Sequence, residues 1–268
     1  MTPHYPHVII NLMIKKPLIF VLILSLIVSL SPKSVLAIEN PLTVPNNKIG
    51  VHILFPSEVD KAASLVNGGG GDWGYVTIPI QSDDMNLTKW QSFMDECRKM
   101  HVIPIIRLAT LGDYFNTQDW SKPNYDDIID FANFLNSLNW PTKNRYIIVY
   151  NEVNRADEWG GSVDPAGYAR LLEYAVKEFK YVNPDFFVIS AGMDNAAPTQ
   201  GNQYMNEYQY YRDMASTIPD IFSEIDGMSS HSYPNPGFAQ PPDVDSYESI
   251  DSYKYEQNFP VMLEVEKV

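Results

Sequence analysis

The sequence predicts one α/β domain built on a parallel sheet. From Lys48 onward, short apolar runs alternate with longer amphipathic stretches, with no break in composition. Most of the short runs are apolar on both faces, as strands must be when helices cover one side and a packed interior the other. A chain of 268 residues with 45% hydrophobic and 19% charged content can bury one large core.

The chain opens on a targeting pattern. Lys15 and Lys16 precede an apolar run from Leu18 to Leu30 broken only by Ser25 and Ser29, and Val35 and Ala37 place small residues at the −3 and −1 positions. The run is about 13 residues, against the roughly 20 that a spanning helix needs, so cleaved export is expected rather than a permanent anchor. Residues 1–37 read as a signal peptide cleaved after Ala37, and 38–268 as one domain delivered to the exterior or the cell envelope. Met13 offers an alternative start in front of the same run.

Seven strands are expected in order: Ile49 to Leu54, Tyr75 to Ile80, Val102 to Leu108, Tyr146 to Asn151, Phe186 to Ala191, Ile225 to Ser230 and Val261 to Val265. A helix from Glu58 to Val66 separates the first two. Gly68 to Gly71 follow that helix and lead into a strand, the reverse of a phosphate-binding loop, so they read as a return loop with a helix C-cap. Trp90, Phe93, Met94, Cys97 and Met100 form a helical stripe, which makes Cys97 a core residue. Between Asp164 and Tyr181, a second stripe runs through Tyr168, Leu171, Leu172, Ala175, Val176 and Phe179. Asp164 caps that helix, Pro165 takes its first position and Asn183-Pro184 stops it.

Several chemistries are excluded. One cysteine permits no intramolecular disulfide and no Cys/His zinc spacing. There is no HxH pair, no Walker lysine and no GxSxG elbow, and neither metal nor cofactor is implied. The net charge is −14, and residues 1–37 hold three lysines and no acid, so the remainder is more acidic still. Such a field repels phosphate backbones, which argues against a nucleic-acid partner and leaves neutral or cationic ones open.

In α/β barrels the chemistry sits where the strands end. There the apolar run Tyr146 to Tyr150 delivers Asn151 and Glu152, an amide able to hold a sugar hydroxyl beside a carboxyl able to protonate a leaving oxygen. A plain loop opening at Asn-Glu explains the same pattern equally well.

The stretch Tyr150-Asn151-Glu152-Val153-Asn154, followed by Glu158-Trp159-Gly160-Gly161 and Asp164-Pro165, resembles the Asn-Glu-Pro motif of retaining glycoside hydrolases. These form the clan of cellulase, xylosidase and mannanase relatives built on eight-stranded barrels. Ile103 to Leu108 and His231-Ser232-Tyr233-Pro234 are similar to the family as well. Val153 stands where proline is usual, and strand two lacks an arginine that many relatives carry; Arg107 would supply that charge, and a salt bridge closing the barrel explains Arg107 equally well.

The resemblance implies a TIM-type (β/α) barrel, incomplete at seven strands with the eighth missing, and hydrolysis of a poly- or oligosaccharide by two carboxylates. Glu152 would be the acid/base and Asn151 its sugar-binding neighbour, with His231 and Tyr233 lining the site, two residues that a core histidine and a loop tyrosine explain equally well. The nucleophile would end strand seven at Glu264, or at Glu266, which shares its face. Trp159 is the expected stacking platform and Trp120 a second candidate for which a core role is the first reading, while His52 and His101 read as packing residues. A non-catalytic carbohydrate-binding barrel is the nearest alternative, and a structural envelope protein held by an uncleaved helix is another. Sugar, linkage and oligomeric state are not legible.

Overall fold

The computed structural model describes residues 40, 43, 47–111 and 120–260, and within them six strands form one parallel sheet in sequential order. The strands are β1 (Gly50–His52), β2 (Gly74–Gln81), β3 (Val102–Ala109), β4 (Arg145–Val149), β5 (Phe186–Ser190) and β6 (Gly227–Met228). Helices α1 (Val59–Val66), α2 (Leu87–Lys99), α3 (Tyr125–Ser137) and α4 (Pro165–Val182) make the first four crossovers. Helices α5 (Glu207–Thr217) and α6 (Ile221–Glu224) make the fifth, and α7 (Tyr253–Asn258) follows β6. Strand, helix and parallel strand in unbroken succession is the build of a partial α/β barrel.

The sheet curls. Laid flat, β1 and β6 would be five strand spacings apart, about 24 Å. Yet the charge of His231, just past β6, is felt at His52 on β1, together with that of Arg107 on β3. Both ends of the sheet therefore turn toward one region at the C-terminal ends of the strands.

Local sequence sets the helix starts. Asn86 accepts from the Lys89 N–H ahead of α2, and Asn124 and Asp127 cap α3 reciprocally. Asp164 accepts from the Gly167 N–H ahead of α4, with Pro165 first in the helix as expected. The buried stripe of α4 is the one read from the sequence, and Cys97 lies fully inside the core, its thiol pushed upward by burial.

Tyr168 on α4 then does more than pack. Its hydroxyl donates to the Val149 carbonyl at 3.0 Å and accepts from the Ala191 N–H at 2.7 Å, tying the ends of β4 and β5 to one helix.

Some expectations change. β1 and β6 span three and two residues, shorter than expected. The run Val261 to Val265 lies outside the described residues, as do 112–119. His101 is not a packing residue: its side chain is 55% exposed, its ring stacks on Trp73 at 4.8 Å and its Nδ1 lies 2.9 Å from Asp72. His52 is likewise exposed by residue surface, although its ring is partly enclosed. Among the described residues, no helix is long and apolar enough to cross a membrane.

Candidate active site

β4 stops two residues short of the expected end because Tyr150 adopts a left-handed backbone, φ 71°. That conformation costs a non-glycine residue roughly 1 to 2 kcal/mol. It is held by burial of the ring, which is 2% exposed and sits edge-on to Trp159 at 5.8 Å. The turn aims Asn151 and Glu152 off the strand end together.

Glu152 is mostly enclosed, its side chain 14% exposed. Its Oε1 lies 2.7 Å from Nδ1 of His231, and its Oε2 lies 3.6 Å from an Arg155 guanidinium nitrogen. His231 can approach only because residue 192 is glycine. A β-carbon there would lie 2.4 Å from the imidazole Cδ2.

Arg155 joins three carboxylates from two loops: Glu152, Asp157 at 2.8 Å and Asp194 at 3.2 Å. The hydrogen bond to Asp157, followed by the charges of its neighbours, outweighs burial and holds the guanidinium above its ordinary pKa. Asn154, fully buried, bonds both the N–H and the carbonyl of Asp194, locking the loop after β4 to the loop after β5.

The Asn151 Nδ2 donates to Glu158 Oε2 at 2.7 Å, which leaves the Asn151 carbonyl oxygen available to accept from a ligand hydroxyl. Burial and then the nearby charge of Glu152 push the Glu158 carboxyl up, against the Asn151 bond and the charges of Arg155 and Arg107. Arg107, 6% exposed on β3, also registers at Tyr233 and at His52, whose ring is pulled down to about 4 by partial enclosure and then by Arg107 and His231. Tyr233 is 44% exposed with its ring 5.8 Å from that of His231.

Five expected site residues thus come together: Asn151, Glu152, Arg107, His231 and Tyr233. Glu264 and Glu266 lie outside the described residues. Trp159 requires correction as a stacking platform. It is 1% exposed, packed edge-on with Tyr150 and Tyr168, and has the Lys122 Nζ over its ring at 6.0 Å, so no open face remains for a sugar.

His52, Arg155, Glu158 and Asp194 were missed. Asp194 follows a strand end, the signal that found Glu152, His52 is the last residue of β1, and Arg155 and Glu158 lie within or beside the stretch that resembles the family motif. Among the described residues, no group of three or more His, Cys, Asp or Glu side chains could hold a metal ion.

Beneath His231 lies a second acidic pair. Glu256 on α7 is 2% exposed and accepts from Ser230 at 2.7 Å and Ser252 at 3.3 Å. Glu207 at the start of α5 is 1% exposed, and burial followed by the charge of Glu256 lifts its carboxyl from 4.5 to about 9. Folded Glu207 keeps its proton between these values while the unfolded chain loses it. This contribution to stability is therefore whole below pH 4.5 and is lost as pH rises toward 9. E207Q is expected to flatten the fall in melting temperature across that window, and a slope equal to wild type would contradict the burial of this acid.

No protein-family model and no curated protein matches the sequence. Among solved structures, the chain is similar to a family GH39 β-xylosidase from Caulobacter crescentus, with 16% identity over 72% of this chain and 47% of that one, at a TM-score of 0.49. It is also similar to fungal β-1,4-galactanases, at 14% identity, 69% and 64% coverage and a TM-score of 0.48. For a Thermomonospora fusca β-mannanase the figures are 11%, 69%, 59% and 0.45. The chain spans about half to two-thirds of the lengths of these structures.

Proposed function

We propose that this protein is a retaining glycosidase that hydrolyses O-glycosidic bonds in a poly- or oligosaccharide, acting outside the cytoplasm after cleavage at Ala37. The observation that carries this reading is the placement of Glu152 beside Asn151 at the C-terminal end of β4, with His231 bonded to one carboxyl oxygen. With its proton on Nδ1, His231 donates to Oε1, which leaves Oε2 to carry the proton transferred to the leaving oxygen. Arg155, 3.6 Å from Oε2, meets the charge that this transfer leaves behind. Asn151 presents its carbonyl to a sugar hydroxyl.

The second carboxylate, required about 5 to 5.5 Å from the first, is assigned to Glu264. It attacks the anomeric carbon as the bond to the leaving oxygen breaks, forming a glycosyl ester. Glu152, now a base, deprotonates the water that hydrolyses this ester.

A 2-fluoro glycoside that accumulates the ester, followed by peptide mapping, tests the assignment. The label is expected on Glu264. Label on Glu266 would move the nucleophile by one strand repeat, and label upstream of Pro260 would overturn the division of roles between Glu152 and Glu264.

A further inference from the structure

Trp159, expected to stack a sugar, is in the core and leaves that role open. A different aromatic row leads outward from Glu152. His231 touches its carboxyl, Tyr233 meets His231 edge-on at 5.8 Å, and Phe238 meets Tyr233 edge-on at 5.3 Å. Tyr233 belongs to the site wall, because the charges of Glu152, Arg107 and Glu158 all register at its hydroxyl. Phe238 is 70% exposed.

Exposed phenylalanines occur singly on many surfaces, so position must decide. This ring is presented rather than left over. Gly237 and Phe238 are both left-handed, φ 64° and 59°, a conformation that a phenylalanine adopts only at a cost. The loop around it is fixed. Asn235, 7% exposed, bonds Asn195 at 2.8 Å and the Glu248 carbonyl at 2.9 Å, and the Gln240 N–H closes onto the Pro234 carbonyl at 3.2 Å. Pro234, Pro236, Pro241 and Pro242 remove further freedom from the segment. A rigid exposed aromatic loses little conformational entropy when a ligand covers it.

We propose that Phe238, with Tyr233, forms a carbohydrate subsite that stacks a sugar unit neighbouring the one cleaved, and so favours oligosaccharides over single glycosides. The inference rests on the glycosidase reading and extends it. The C–H face of a pyranose supplies the apolar surface that the ring lacks, and the row reaches Phe238 two ring contacts beyond His231, past the sugar that Glu152 addresses.

F238A in the full chain, assayed on a longer oligosaccharide and on an aryl monoglycoside, separates the possibilities. Loss of one stacking contact is expected to raise KM for the oligosaccharide about three- to tenfold. The monoglycoside kinetics and the melting temperature should stay unchanged, and F238W should restore the oligosaccharide KM. Equal effects on both substrates, or none on either, would overturn the subsite. Oligosaccharide affinity measured by calorimetry gives an independent reading. A wild-type chain that binds without turnover, and loses that binding in F238A, would retain the subsite and remove the hydrolase.

Discussion

Replacing Glu152 with alanine is expected to cut hydrolysis of natural glycans by on the order of 10² to 10⁴, the usual contribution of a positioned general acid. Activated aryl glycosides, whose leaving groups need little protonation, should lose far less in the bond-breaking step. The contrast is the diagnostic part, because a merely structural residue would depress both substrates together. Glu152 is bonded to His231 at 2.7 Å and lies 3.6 Å from Arg155, so its loss strands His231 and leaves Arg155 with Asp157 and Asp194 alone. A melting curve must therefore accompany the kinetics. Parallel losses on both substrate types, with the fold intact, would remove Glu152 from the acid role.

The second large effect is expected in stability. Trp159→Ala should cost about 3 to 5 kcal/mol, since a fully buried tryptophan leaves both transfer energy and a cavity behind. Against the roughly 5 to 15 kcal/mol of a typical native state, that is a large share. The damage should also be local to the site. Trp159 braces Tyr150, whose left-handed backbone aims Asn151 and Glu152, and Tyr168, whose hydroxyl ties β4 to β5. Trp159→Phe should keep part of those ring contacts and lose less. If Trp159→Ala unfolds at the wild-type denaturant concentration and instead loses only sugar affinity, the residue stacks substrate after all.

Trp159 also shows where sequence reading stops. A tryptophan seven residues past a site glutamate reads naturally as a sugar platform, and only the return of the loop onto the strand end puts it under Tyr150. The same limit applies to Tyr150 itself. Its apolar run predicts a strand continuing to Asn151, while the left-handed turn depends on a packing partner from beyond the strand.

Where burial is symmetric, the pattern suffices. β2 and β3 fall within a residue of the expected bounds at each end, and α4 runs from its proline to the residue before Asn183. β1 and β6, whose only described strand partners are β2 and β5, form less of the ladder that their apolar runs suggest. At the site, residues that follow a strand end could be found by position, as Glu152 was and Asp194 could have been. The role of Arg155 could not, although it lies beside the motif-like stretch, because its partners include Asp194, far along the chain, as well as Asp157 and Glu152. Phe238 sits in a stretch of prolines and glycine that reads only as a turn.

The central claim is that Glu152 serves a two-carboxylate hydrolysis that returns the sugar in its original configuration. Proton NMR of the anomeric region, recorded during the first minutes of turnover on a glycan that the chain cleaves, tests it most directly. The expected result is release of the anomer that the substrate carried, with the other appearing only later by mutarotation. Initial release of the opposite anomer would contradict the account, since water would then have attacked the sugar directly without a glycosyl ester on Glu264.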